Sequence, residues 1–258
     1  MNLLKTQKSK NKIVRLVKLI SHAGICSRRD AEKLINDGKI TLNGEIYKDF
    51  IIRADKISKI KVNGINLKFS KIRIWIFNKS KGLVCSNKNQ FKKKTIFDVL
   101  PKEVPRVVSV GRLDEDSEGL IILTNNPSLS SYLEKPNGKI HRKYLVEVVG
   151  KYDLQIIDLL SKGVSINGIN YKPMVVKKIK YYENKTFLEI TLFEGKNREI
   201  RKVMEHLGLK VILLKRFEYG PFKLNKVQQN KLFEINQKDV LYKLKQIGFK
   251  IESGFWKA

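Results

Sequence analysis

The sequence predicts an α+β protein in two parts, a small helix-and-hairpin unit followed by a larger domain on a mostly antiparallel sheet. Three observations carry this. Two Asn-Gly pairs, Asn43-Gly44 and Asn63-Gly64, each sit between short alternating runs, a strong hairpin signal. Strand-like and helix-like segments are interspersed without a regular βαβ repeat, which disfavours a parallel sheet. The 258 residues suit one large domain or a small module plus a medium one.

Residues 1–12 are polar and basic and read as a disordered tail. Helical spacing begins at Ile13, with Val14, Val17, Leu19 and Ile20 apolar and Gly24 as the stop. Ser27-Arg28-Arg29-Asp30 has the form of a capping box opening a second short helix through Ala31, Leu34 and Ile35. Arg28 and Arg29 then stand at a helix N-terminus, where the macrodipole favours phosphate. Strands are expected at 40–42, 46–47, 60–62 and 65–67, around the two turns. The unit is expected to span 13–70, and the larger domain 71–258.

In the second part, Arg73 to Phe77 starts a buried strand. A basic loop follows, with a short strand at Leu83-Val84-Cys85 and a helical turn from Phe97 ended by Pro101. Strands are expected at 107–110, 143–148, 186–193 and 210–216, and helices at 153–160 and 199–207.

The stretch Gly111-Arg112-Leu113-Asp114-Glu115-Asp116-Ser117-Glu118-Gly119 places four carboxylates in five positions of a chain whose net charge is +28. The apolar run Leu120 to Leu123 ties this acidic loop to the core. A metal loop, a solvated turn and a catalytic carboxylate compete for it. A calcium loop would need Glu at position 125, which is Asn125. A magnesium site on Asp114 and Asp116 would lack any nucleotide motif.

With 53 Lys and Arg against 25 Asp and Glu, the chain carries the electrostatic footprint of a phosphate-backbone partner. Cys26 and Cys85 stand apart, without ligand-spaced His or Cys. That disfavours a disulfide framework and zinc and fits a reducing cytoplasm. No apolar run is long enough to span a membrane, and no signal peptide is read at the N-terminus.

Residues 111–125 closely resemble the catalytic motif of the RsuA-type ribosomal RNA pseudouridine synthases. The stretch Glu194-Gly195-Lys196-Asn197-Arg198-Glu199-Ile200-Arg201-Lys202-Val203 resembles that family's second signature. Ala23 to Ala31 and Gly38 to Gly44 resemble the S4 RNA-binding domain that usually precedes it. The likeness spans residues 13–225. It implies a catalytic domain on a mixed, mostly antiparallel sheet with a central cleft, and isomerisation of a uridine in ribosomal RNA to pseudouridine. Neither cofactor nor metal is implied.

By the same resemblance, Asp114 is the catalytic aspartate, either a nucleophile or the base that takes a sugar proton. Arg201 is its pairing cation. Tyr144 stacks on the flipped base, and stacking is worth ~1–3 kcal/mol. Arg112, Lys196, Arg198 and Lys202 contact RNA, as do Arg28 and Arg29 on the first unit. Leu213 or Leu214 packs on the base's other face. Residues 215–224 look most like the RluB-type members of the family, which act on the large ribosomal RNA. The expected partner is therefore 23S ribosomal RNA or a precursor particle, bound by a monomer. A 16S target is the alternative. Two rivals stand beside this reading. A noncatalytic ribosome-assembly factor would need Arg28 and Arg29 but not Asp114, and a metal-dependent nuclease would fail in chelator.

Overall fold

The computed structural model describes residues 13–86, 93–135, 140–151, 153 and 155–251, so the tail expected over 1–12 lies outside the described residues. The first unit runs β1 (Ile13–Arg15), α1 (Leu16–His22), α2 (Arg28–Asn36), β2 (Ile40–Leu42), β3 (Glu45–Ile46), β4 (Ile51–Arg53), a 3-10 turn (Ala54–Lys59), β5 (Ile60–Val62) and β6 (Ile65–Asn66). The Ser27 side chain accepts the Asp30 N–H, as the capping box predicts, and also donates to the Asp30 carboxylate. Asn43 and Asn63 sit at φ 56° and 48° and are each followed by a positive-φ glycine. That is the type I′ geometry whose twist matches the flanking strands. One expectation fails: residues 13–15 are not the start of the helix but a strand that pairs antiparallel with β4. Leu16, Ile20, Ala31, Ile35, Ile40 and Ile60, all fully buried, form the unit's own core.

The second unit continues β7 (Ile74–Lys79), β8 (Val108–Val110), β9 (Glu118–Thr124), α3 (Pro127–Glu134), β10 (Arg142–Val149), α4 (Gln155–Lys162), β11 (Val164–Ile166), β12 (Ile169–Tyr171), β13 (Val175–Tyr182), β14 (Lys185–Leu192), α5 (Glu199–His206), β15 (Lys210–Tyr219), β16 (Phe222–Lys223), β17 (Leu232–Glu234) and α6 (Gln237–Gln246). Its sheet has the order β13-β14-β10-β15-β9-β7-β17, with β8 on β9 and β16 on β15. All its described strand pairs are antiparallel except β9 with β15, so the sheet is mixed.

Both faces of β7 and β9 are covered, which is why Leu120 to Leu123 is an unbroken apolar run. Trp75, Phe77, Ile121 and Leu123 face a core shared with α4 and α5. Ile74, Ile76, Leu120 and Ile122 face a second core shared with α3 and α6. The two units touch where His22 Nε2 lies 3.2 Å from Ser128 Oγ, at the start of α3. No helix among the described residues is long and apolar enough to cross a membrane.

The seam between β9 and β15 positions the cleft. It holds two paired residues on each strand, Lys215 with Glu118 and Arg216 with Gly119. Gly119 has φ +100°, and a Cβ there would press into the Arg216 backbone carbonyl. Glycine is needed for both the dihedral and the space.

Gly44→Ala, at φ +95° but in open space, should cost about 1–3 kcal/mol of backbone strain. Gly119→Ala should cost clearly more, because it also forces the two strands apart. Urea denaturation midpoints of the two variants check this, and equal losses would refute the steric role of the seam.

Candidate active site

Strand β7 ends at Lys79, and β9 begins at Glu118. The acidic loop before β9 is gathered around the Lys79 ammonium. This side chain is fully buried and donates to the carbonyls of Ser117 (2.7 Å), Asp114 (3.0 Å), Ser80 (3.1 Å) and Glu115 (3.4 Å). Burial depresses the Lys79 pKa, and the charges of Asp116, Asp114 and Glu115 partly offset that. The Gly82 N–H adds a bond to the Glu115 carbonyl at 2.8 Å. Thus the loop's backbone is fixed from beneath, and its carboxylates project outward.

Those carboxylates meet the loop before α5. Arg198 is the N-cap residue of that helix, in a left-handed conformation at φ 51°, and makes no side-chain cap. Its guanidinium instead reaches Asp116 Oδ2 at 3.0 Å and Asp114 Oδ2 at 3.5 Å. Arg201, three residues later, places Nε 3.2 Å from Asp116 Oδ2 and donates Nη2 to the Asp116 carbonyl at 2.9 Å. No direct ion pair joins Arg201 to Asp114 among the described residues, although the Asp114 charge acts on it. In this geometry Arg201 holds Asp116, and Arg198 is the cation beside Asp114. The reason is the αL turn at Arg198, which swings that residue toward the loop while Arg201 lies against β15, bonded to the Val211 carbonyl. Burial raises the Asp116 pKa, but the Arg198 hydrogen bond and the Arg201 and Arg198 charges outweigh it and hold it below the usual range.

Asp114 opens onto a cleft of about 320 Å³. Arg112, Tyr144, Lys196 and Arg198 line it too, so the fold gathers five of the nine sequence-named residues around one space. Tyr144 is 8% exposed on the inward face of β10. Leu214, not Leu213, lines the cleft. Lys196 is turned onto the Glu194 carboxylate at 2.8 Å and the Asn170 carbonyl. Lys202 bonds Asn197 at 3.4 Å and does not line the cleft. Arg28 and Arg29 stand at the start of α2 on the first unit, both exposed.

Sequence reasoning missed Lys79, which it took as the start of a loop. It gave Asp116 no part beside Asp114 except in the magnesium alternative, and it passed over Arg142 and Arg216 in the cleft wall. For Arg216 a signal existed, since on a strand it shares the face of Leu214, two residues earlier. The second signature also hides a carboxyl pair. The Glu199 side chain accepts the Lys196 N–H at 2.9 Å and closes the turn. Burial and the nearby Glu194 charge push its pKa up to about 7, while Glu194, held by the Lys172 N–H and by Lys196, stays below its usual value despite burial. Among the described residues, no group of three or more His, Cys, Asp or Glu side chains is placed to hold a metal ion.

An S4-like unit joined to a mixed-sheet domain whose cleft joins one aspartate, two tyrosines and several arginines points to a class that acts on RNA. Comparison with known proteins makes this specific. Residues 73–206 match the family model described as RNA pseudouridylate synthase, and residues 14–50 match the S4 domain. An uncharacterized RNA pseudouridine synthase of Rickettsia bellii is 45% identical over 89% of this chain and 99% of its own length. The ribosomal large subunit pseudouridine synthase B of Buchnera aphidicola is 34% identical over 80% and 86%, and that of Bacillus subtilis 30% identical over 80% and 85%. A crystal structure of a pseudouridylate synthase shares the fold at TM-score 0.63, with 24% identity over 89% of this chain and 99% of that one. The chain belongs to the RNA pseudouridine synthase family, and it is an isomerase.

The folded chain keeps the proton of Glu199 up to about pH 7, where the unfolded chain releases it near 4.5. Stability from this group is complete below pH 4.5 and is lost as pH rises through 7. Glu199→Gln should remove that slope, so the stability of the wild type relative to the variant should fall between about pH 5 and 8 in urea titrations. A parallel pair of curves would contradict the assignment.

Proposed function

We propose that the chain converts a specific uridine of large-subunit ribosomal RNA to pseudouridine, with Asp114 as the catalytic carboxylate. The observation that carries this is the meeting of Asp114, Tyr144 and Leu214 in one cleft. The carboxylate faces the sugar, the phenol ring and the leucine enclose the flipped base, and Arg198 lies 3.5 Å from the carboxylate. Stacking offsets part of the unstacking cost. The large-subunit assignment rests on the Buchnera and Bacillus relatives, whose names specify that target. Arg28 and Arg29 dock RNA through the first unit, Arg112 and Lys196 contact it from the cleft wall, and Lys202 contacts it from α5 outside the cleft. The enzyme acts as a single chain in the cytoplasm.

In the reaction the N1–C1′ bond breaks, the base turns and C5 joins C1′. The carboxylate of Asp114 starts this by attacking C1′ or by taking a sugar proton. Asp114→Asn should abolish product, with a loss of at least about 10³-fold, as for removal of an activated nucleophile. RNA affinity should stay near that of the wild type. Carbodiimide treatment and primer extension across the large-subunit RNA read the outcome. Undiminished modification by Asp114→Asn would refute the mechanism, and modification confined to small-subunit RNA would refute the target.

A further inference from the structure

Two arginines are buried in the cleft wall with no carboxylate at ion-pair distance among the described residues. Arg142 is 8% exposed and Arg216 2%. They flank the Tyr219 ring, 4.6 Å and 5.1 Å from its centroid. Arg142 uses its donors on the Ile140 and Glu194 carbonyls and on the Tyr219 hydroxyl. Arg216 gives Nε to the Leu120 carbonyl at 2.8 Å, but its buried Nη2 has no hydrogen-bond partner among the described residues. A buried charged donor left unsatisfied is costly to the fold. Such a group calls for an explanation, and a ligand that completes it is one.

Its place limits the ligand. Arg216 follows Leu214 by two residues on the same strand face, and both line the cleft. The seam with Gly119 fixes its backbone. The guanidinium is thus held in the cleft wall, on the inward face of β15 beside Leu214. A uracil presents carbonyl oxygens there, which are acceptors that guanidinium can serve.

The reaction asks for such a donor. When N1–C1′ breaks, the bonding pair stays on the base, and uracil departs as an anion with charge over N1, O2 and O4. C5 then bonds to C1′, its proton passes to a base, and N1 regains a proton, so atoms and charge balance. We propose that Arg216 takes a carbonyl oxygen of the flipped uracil and stabilises this anion. A fixed positive donor in a water-poor cleft acts most strongly where charge develops. The inference rests on the pseudouridine-forming reading above.

The test compares wild type, Arg216→Met and Arg216→Lys in single turnover on a large-subunit RNA fragment carrying uridine or 5-fluorouridine at the target. Loss of the target nucleotide is read by nuclease digestion and mass spectrometry. Fluorine at C5 makes the departing anion less basic, so that it needs less help. Arg216→Met should slow the uridine substrate about 10²–10³-fold with RNA affinity nearly unchanged, and the deficit should shrink about tenfold on 5-fluorouridine. Arg216→Lys keeps the charge and should show the same pattern at smaller size; it decides the matter if the methionine variant does not fold. Equal deficits on both substrates, or a loss confined to affinity, would overturn the proposal. A wild type inactive on both RNAs would overturn the function itself, and this role with it.

Discussion

Strands β9 and β15 meet edge to edge through Gly119 and Arg216, and the cleft depends on that approach. On one side of the seam stand β7, β8 and β17, and on the other β10, β14 and β13. The acidic loop leads into β9 just before the contact. Leu214 and Arg216 lie on β15 at and before it. A wider seam would move the carboxylates away from the wall they face. The lack of a side chain at position 119 is therefore a condition on the site and not merely on the loop.

Electrostatics arranges this site more than it stabilises the fold. Glu115 pairs with Lys93 at 2.6 Å, and Asp114 and Asp116 share Arg198. These groups are partly exposed, and such pairs are each worth roughly 0–1 kcal/mol. Lys79 differs, because it is fully buried and holds backbone oxygens, which have fixed positions. It sets where the loop lies, whereas Arg198 and Arg201 set where Asp114 and Asp116 point. In a chain of +28 the acidic loop is surrounded by compensating charge without any acidic neighbourhood to support it.

Much of this was legible in the chain. The Asn-Gly turns marked both hairpins of the first unit, and Ser27 with Asp30 marked the start of α2. The acidic motif located the cleft wall, and the apolar run after it located the central strand. The elements that escaped notice had weaker patterns. Strand β13 is exposed at all but one of its positions, so it lacks the alternation that reveals a half-buried strand. Helix α3 did carry a signal, Asn126 before Pro127, whose side chain accepts the Ser128 and Leu129 N–H groups. The partner of Arg201 was not legible, because it depends on the left-handed turn at Arg198, for which a non-glycine residue gives no local cue. Nor could periodicity choose between Leu213 and Leu214, since only the sheet's neighbours decide which face of β15 points inward.

The seam also bears on how the molecule comes together. Strands β13 and β14 lie close in sequence and can pair early, as can β11 and β12. Gly119 and Arg216, by contrast, join across nearly a hundred residues, and β7 reaches β17 across a still longer interval. Contacts of such long range form late and slowly, because the loop they close must be ordered first. The cleft has one wall from each side of that closure. A newly made chain therefore acquires hairpins and helices before it has anywhere to put a nucleotide, and the appearance of activity times the final docking of its two halves.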